Sequence, residues 1–434
     1  MQPIIPSPRV CILGLGYIGL PTAAILAQRG HTVHGVDINP KVVATINQGQ
    51  IHIIEPDLDQ AVAAAVASQR LRASTEPAAA DVFMICVPTP FHSHDHRIPQ
   101  PNVDYVMAAG RAIAPRLQPG NLVILESTSP VGTTDQLAAT LAAAGAPVDQ
   151  IHLAYCPERV LPGHTLRELI HNDRVVGGLT PAAAQAAQTF YQTFCQGDIL
   201  TTDARTAELC KLAENAFRDV NLAFANELSM LCPQLGIDVR ELIRLANHHP
   251  RVNILQPGCG VGGHCIAVDP WFIAAAAPQQ SALIQTARRV NDGKPQWVVD
   301  QITQAAAELS QLHQAQPTIA CLGLAFKPNV DDLRGSPALQ ITQQLIRQGH
   351  QVLAVEPNLE THPTLDLVPW QLAVEKADLL VFLVGHREFQ GLTPPQPHLD
   401  FCGVLGTATV TPPRPQPQAG RATPSPLVSV QGKA

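Results

Sequence analysis

Gly14-Leu15-Gly16-Tyr17-Ile18-Gly19 follows the apolar run Val10-Cys11-Ile12-Leu13 and leads into a helical pattern over 20–28. Glycine at the first, third and sixth positions leaves few options: the chain leaves a strand, turns tightly and enters a helix. The next strand candidate, His31-Thr32-Val33-His34-Gly35-Val36, ends on Asp37. Such a βαβ unit lets a pyrophosphate approach bare backbone at a helix N-terminus, so Gly14, Gly16 and Gly19 are dinucleotide-binding candidates. Asp37 is suited to accept hydrogen bonds from adenosine ribose hydroxyls and would repel a 2′-phosphate, which favours NAD over NADP.

Further buried-strand candidates lie at 82–87, 122–126 and 152–156, with Ala-rich helical stretches between them. The alternation predicts a doubly wound parallel sheet over the first 200 residues. From Asp203 the pattern changes. Residues 206–231 keep helical period without Gly or Pro, and helical signal persists at 239–246 and 281–307. This all-helical middle contains a helix long enough to be a dimer spine. Strand patterns return at 319–324, 352–355 and 379–384, with a helix near 338–348. The expected fold class is α/β: a doubly wound parallel-sheet domain and a second, smaller α/β domain joined by a central all-helical domain. The expected bounds are 1–200 for an NAD-binding domain, 201–312 for the helical one, 313–408 for the second sheet and 409–434 for a Pro-rich, disordered tail.

A chain of 434 residues is comfortable for two or three such domains. Its net charge of −7 argues against a nucleic-acid or anionic-membrane surface, although local cations can still bind a phosphorylated small molecule. No apolar stretch approaches the ~20 residues of a membrane helix, and the first nine residues do not read as a secretory signal. Ten cysteines without paired C-x-x-C spacing read as reduced thiols. A soluble, cytoplasmic enzyme is the expectation.

Cys265, in Gly262-Gly263-His264-Cys265-Ile266-Ala267-Val268-Asp269, adds a nucleophile to a nicotinamide site. A thiol can trap an aldehyde as a thiohemiacetal, from which a second hydride leaves to form a thioester. The pairing suggests a four-electron oxidation of an alcohol to an acid. The glycine density of 256–263 suits backbone wrapped around a ligand, but a buried structural thiol is the ordinary role of a cysteine, and Cys259 in the same loop is an equal rival by spacing. Lys211, Asn215 and Arg218 share one helix face, fit for moving a proton and holding an oxyanion, or simply solvated. Thr89 and Thr128 follow strands where a crevice opens, or are ordinary loop threonines; Glu158, at the sheet's carboxyl edge, is a base, a water activator or a surface ion. His92, His94 and His96 with Asp95 alternate in one loop with no partner cluster, so no metal site is expected.

Four separated stretches carry a resemblance: Gly-Leu-Gly-Tyr-Ile-Gly-Leu-Pro (14–21), Glu-Ser-Thr-Ser-Pro-Val-Gly (126–132), Gly-Gly-His-Cys (262–265) and Phe-Lys-Pro-Asn-Val-Asp-Asp-Leu-Arg (326–334). Together they resemble the UDP-glucose/GDP-mannose dehydrogenase family over residues 9 to 390. The stretches 156–163 and 246–258 are most similar to its branch acting on UDP-N-acetyl-D-mannosamine. The resemblance implies two Rossmann-like, doubly wound parallel-sheet domains, the first for NAD and the second for the UDP moiety, and a homodimer joined through the helical domain; it selects Cys265 as nucleophile. It makes Lys211 the general acid/base, with Asn215, Asp269 and Glu158 supporting the oxyanion and water steps. It assigns Tyr17, Ile18, Asp37, Thr89, Thr128 and Arg334 to NAD. Arg159, Val160, Lys211, Asn215, Arg218, His249, Arg251, Gly262, Phe326 and Lys327 are assigned to the sugar nucleotide, Arg251 reaching into the neighbouring subunit. The family's basic residue after Asp400 is absent here. The reaction implied is C6 oxidation of UDP-N-acetyl-D-mannosamine for surface-polysaccharide assembly. The rivals are a UDP-glucose or UDP-N-acetylglucosamine dehydrogenase, a two-electron reductase, and a catalytically silent nucleotide-sugar-binding protein.

Overall fold

The computed structural model describes residues 7–92, 98–161 and 163–406, so the expected disordered tail and His94, Asp95 and His96 lie outside the described residues. Eight strands form the first sheet: β1 (Arg9–Leu13), β2 (Thr32–Val36), β3 (Leu71–Ser74), β4 (Val82–Ile85), β5 (Leu122–Leu125), β6 (His152–Tyr155), β7 (Arg174–Gly178) and β8 (Ile199–Asp203). Their order is β3-β2-β1-β4-β5-β6-β7-β8. β1 lies parallel to both β2 and β4, with Leu13 opposite Val36 and Ile85, so the winding reverses there and a crevice opens beyond the carboxyl ends. The run is parallel except where β6 meets β7, pairing Ala154 with Gly178 antiparallel.

Sequence and burial agree in the middle of this sheet. Val-Phe-Met-Ile in β4 and Leu-Val-Ile-Leu in β5 are buried on both faces, as a helix-covered parallel sheet requires. The edge strand β3 is Leu-Arg-Ala-Ser and the edge strand β8 is Ile-Leu-Thr-Thr-Asp, each with exposed positions. A smaller, fully parallel sheet follows, β9 (Thr318–Leu322), β10 (Gln351–Val355), β11 (Leu379–Phe382) and β12 (His398–Asp400), in the order β10-β9-β11-β12.

Two 32-residue helices, Ala204–Leu235 and Ala282–His313, join the sheets. The first is capped by Asp203, whose side chain accepts the Thr206 N–H, and closes on Gly236 in the left-handed region. It runs past 231 through Pro233 and ends with Gly236 N–H on Pro233 O and Ile237 N–H on Cys232 O. The two helices meet along a buried polar seam: Arg288 pairs with Asp219 at 2.5 Å, Asn226 donates to Asn291 at 2.9 Å, and Lys294 donates to Ser229 at 2.8 Å. Among the described residues no helix is long and apolar enough to cross a membrane.

Candidate active site

The glycine turn is built to admit a ligand. Gly14 has φ +90°, and a Cβ there would strike Cys86 O at 2.7 Å; a Cβ on Gly19 would strike Gly14 O, so the helix Gly19–Gln28 starts directly on the turn. Gly16, by contrast, faces open space. Leu15 N–H donates to Asp37 Oδ2 at 3.2 Å and Asn39 N–H to Oδ1 at 2.9 Å, which orients a half-buried carboxylate with lone pairs to spare. Open backbone, a helix N-terminus and an oriented acid fit the pyrophosphate and ribose of NAD. Ile18 caps the helix, and the exposed Tyr17 ring has the Arg334 guanidinium 5.1 Å from its centre. Tyr17 and Arg334 line one cleft of about 410 Å³, together with Asp332, Leu359, Thr361 and His362. Across the crevice Thr89 donates to Thr128 O at 2.6 Å, which ties the ends of β4 and β5 together.

Cys265 lies in a turn whose carbonyl accepts the N–H groups of Val268 and Asp269, at 3.0 and 2.8 Å, just ahead of the helix Asp269–Ala276. Of the ten cysteines, it alone is exposed. Cys259 is buried, aims Sγ at Leu383 O (3.5 Å), and burial pushes its thiol up to about 12. Of the two cysteines that spacing left as rivals, Cys265 is the exposed one. Asp269 is buried and accepts Asn215 Nδ2 at 2.5 Å; burial raises its carboxyl to about 6, against the pull of Asn215 and Lys211. Desolvation and the Asp269 charge raise the Cys265 thiol, while Lys211 and Arg334 lower it. Lys211 and Asn215 occupy the buried face of the helix Ala204–Leu235. The group therefore offers an exposed cysteine, a buried lysine nitrogen, an amide donor and a carboxylate able to change charge near neutrality.

The glycines before the thiol have a steric reason. A Cβ on Gly262 would meet Gly335 O at 2.6 Å, and one on Gly263 (φ +85°) would meet the Phe326 ring at 2.9 Å. The thiol loop is thus pressed onto the loop leaving β9, where the Lys327 ammonium lies 5.6 Å from the Phe326 ring centre. Burial lowers the Lys327 ammonium, against the pull of Asp332 and Glu55.

Other candidates stand differently. Arg218 is exposed, although it shares a face with Lys211 and Asn215. Glu158 is buried, ion-paired with Arg174 at 3.2 Å, and accepts the Arg159 N–H at 2.7 Å. Arg159 itself pairs with Glu214 at 2.7 Å, and Val160 packs against the core of the first sheet. His249 and Arg251 are exposed beyond the helix Val239–Ala246, and the Arg251 side chain has no hydrogen bond or ion pair among the described residues. Asp400 accepts four backbone N–H groups, from residues 402–405, and binds Arg240 at 3.5 Å. Among the described residues no cluster could hold a metal. Two residues escaped the sequence reading. Glu208, buried three positions before Lys211, accepts Gly132 N–H, Thr134 N–H and the Thr134 hydroxyl at 2.6–2.8 Å, joining the helix Ala204–Leu235 to the crevice; Asp332 fixes Arg334. Helical spacing from Lys211 was the one available signal for Glu208.

The NAD binding, central and UDP binding domains of the UDP-glucose/GDP-mannose dehydrogenase family match residues 8–195, 205–293 and 320–403. The chain is 55% identical over 397 residues to an NDP-N-acetyl-D-galactosaminuronic acid dehydrogenase of Ralstonia nicotianae, covering 88% of this chain and 92% of that one. It is 55% identical over 402 residues to a UDP-N-acetyl-D-mannosamine dehydrogenase of Salmonella typhi, covering 88% and 94%. A solved UDP-N-acetyl-mannosamine dehydrogenase from S. aureus superposes with a TM-score of 0.83 at 42% identity, covering 92% and 96%. With the cofactor turn, the thiol loop and the second-sheet loop brought together in one chain, this protein belongs to the UDP-glucose/GDP-mannose dehydrogenase family and is an NAD-dependent UDP-sugar dehydrogenase.

Proposed function

We propose that the substrate is UDP-N-acetyl-D-mannosamine, oxidised at C6 from alcohol to carboxylate with two NAD and one water, for surface-polysaccharide assembly such as enterobacterial common antigen or capsule. The observation that carries this reading is the exposed Cys265 thiol within reach of the Lys211, Asp269 and Arg334 charges. Bound NAD supplies the hydride acceptor for both oxidations. Lys211 takes the hydroxyl proton in the first, while Asn215 steadies the oxygen. The Cys265 sulfur then gives its electron pair to the aldehyde carbon and its proton to the neighbouring base, forming a C–S bond; loss of the second hydride leaves a thioester. Asp269 and Glu158 orient a water whose oxygen attacks that carbon; the C–S bond breaks and the thiol is restored. Covalent capture prevents loss of aldehyde between the two oxidations.

The sugar-nucleotide pocket is lined by Arg159, Val160, Arg218, His249, Gly262, Phe326 and Lys327, whose cations offset two phosphates in an acidic protein. The working unit is a homodimer, with Arg251 serving the neighbouring subunit. In support, the outward face of the helix Ala204–Leu235 exposes Phe217 (71%), Phe224 (52%) and Leu231 (46%) at seven-residue intervals, an apolar stripe suited to a second copy. The relatives named for UDP-N-acetyl-D-mannosamine favour this sugar; the equally similar relative named for N-acetyl-D-galactosaminuronic acid makes the galacto-configured sugar the second reading.

Steady-state turnover with each UDP-sugar tests this directly. Two NADH per UDP-N-acetyl-D-mannosamine, and slower turnover of the glucose, N-acetylglucosamine and N-acetylgalactosamine nucleotides, are expected. One NADH per sugar would remove the four-electron course, and equal or faster turnover of UDP-glucose would remove the choice of sugar.

A further inference from the structure

The loop between β9 and the helix Pro337–Arg347 carries Phe326, Lys327 and Arg334, so it faces both ligand pockets of the proposed enzyme. Within itself it is held by Phe326 N–H on Asp332 O at 3.0 Å, by the Ser336 hydroxyl on Leu324 O at 2.6 Å and by the Asp332–Arg334 pair, none of which holds Asn329. Its bend is set by a buried pair outside it. Glu356, next after β10 and 3% exposed, accepts on Oε2 the N–H groups of Leu324 (2.7 Å) and Ala325 (2.9 Å) and His386 Nε2 (3.1 Å). Its Oε1 accepts the backbone and side-chain N–H groups of Asn358, both at 3.1 Å. His386 is wholly buried and turns its other nitrogen to the loop, where Nδ1 accepts the Asn329 N–H at 3.0 Å and Asn358 Nδ2 at 3.1 Å. Two donors on Nδ1 and a carboxylate on Nε2 assign the neutral ring with its proton on Nε2. Asn329 holds φ +60°, a left-handed conformation that asparagine tolerates better than most residues, and its Oδ1 accepts the Arg387 N–H at 3.0 Å.

We propose that His386 and Glu356 are positioning residues for both ligands at once: by pinning Asn329 they set the bend that delivers Lys327 to the sugar nucleotide and Arg334 to the cofactor. Asn329 lies two residues after Lys327 and five before Arg334, so one anchor governs both arms. The inference rests on the pocket assignments of the proposed function. It makes a distinctive claim. A side chain that touches one ligand, when lost, weakens that ligand; a shared anchor, when lost, weakens both together.

Two substitutions of the same ring separate its atoms. His386→Gln keeps an N–H near Nε2 for Glu356 but lacks the Nδ1 acceptor; His386→Asn keeps an acceptor near Nδ1 but lacks the N–H. In the full-length protein, His386→Gln is expected to raise KM for the UDP-sugar and for NAD together, each about tenfold, the scale of one lost hydrogen bond. kcat should change less, and His386→Asn should recover most of both KM values. Lys327→Met and Arg334→Leu should each raise one KM only. A folded His386→Gln protein with either KM within about twofold of the parent overturns the inference. If that variant does not accumulate, Asn329→Pro at the exposed loop position, which removes the N–H that Nδ1 accepts, faces the same criterion: a paired rise supports the anchor and unchanged values overturn it. If the parent turns over no UDP-sugar, the functional reading fails on its own. Calorimetric binding of UDP and of NAD to parent and variants then still decides the anchor, by joint weakening or none.

Discussion

The two sheets share one turn and use it for different ends. Gly14 in the first and Gly323 in the second both have φ +90°, and they donate to the last residue of the neighbouring strand, Val36 O at 2.8 Å and Val355 O at 2.9 Å. An acid follows each strand. Asp37 receives two backbone N–H groups and stays half-buried beside the open side of Gly16, with a helix starting at Gly19. Glu356 receives five donors in a closed site, and the next helix waits until Pro337. The first turn therefore presents backbone and a carboxylate to a ligand, whereas the second has spent its polar capacity inside the protein and presents loop side chains instead. One local device becomes a binding site or a brace according to how many partners its acid already has.

Glu356→Ala is the strongest way to break this comparison. It strands the N–H groups of Leu324, Ala325 and Asn358 and the His386 ring in a buried site, so urea denaturation should show a loss of about 3–5 kcal/mol; a loss below about 1 kcal/mol would make Glu356 no brace at all. Burial raises the same carboxylate, but the hydrogen bonds it accepts from His386, Leu324 and Asn358 hold it at about 2, below its ordinary 4.5. A depressed acid stabilises fully above its unfolded value, so this contribution is intact above pH 4.5 and drains away as pH falls towards 2.

Asp269, between the two sheets, has the opposite sign. Its carboxyl is raised from 3.8 to about 6, so the ionised form costs stability as pH rises through 6. Asp269→Asn is therefore expected to stabilise the ligand-free protein by about 2 kcal/mol at pH 8, with the gain shrinking towards pH 4, while uronate formation falls sharply. A variant equally stable at both pH values would contradict the raised carboxyl. The smallest effect belongs to Asp37→Ala. It should raise the KM for NAD about tenfold with the sugar KM and the melting temperature nearly unchanged. A large loss of stability there would mean that Asp37, too, is a brace.

Much of the architecture was legible because burial on both faces leaves a plain mark: β4 and β5 are unbroken apolar runs. The edge strands β3 and β8 mix polar residues and need their neighbours to become strands. The cofactor turn was legible to the residue, since its geometry demands glycine locally. By spacing the thiol loop was legible only as a pair of rivals, between which the family resemblance alone chose Cys265, because whether Cys259 or Cys265 meets solvent depends on Leu383 and Phe326, far along the chain. Spacing also grouped Arg218 with Lys211 and Asn215, yet what covers a helix face is not written in its period. Glu208 and His386 act through partners 74 and 30 residues away; helical spacing from Lys211 hints at the first, and no local pattern announces the second.

The seam between the two long helices has a mechanical consequence. Arg288 is bound to Asp219 and Asp292, Asn291 to Asp219 and Asn226, and Lys294 to Ser229, so a slip of one turn would unseat three buried side chains together. Apolar helices can slide; these are keyed. Any breathing of the cleft must then come from hinges at the ends of the keyed shaft, and Lys211 and Asn215 travel with the shaft as a single tool head.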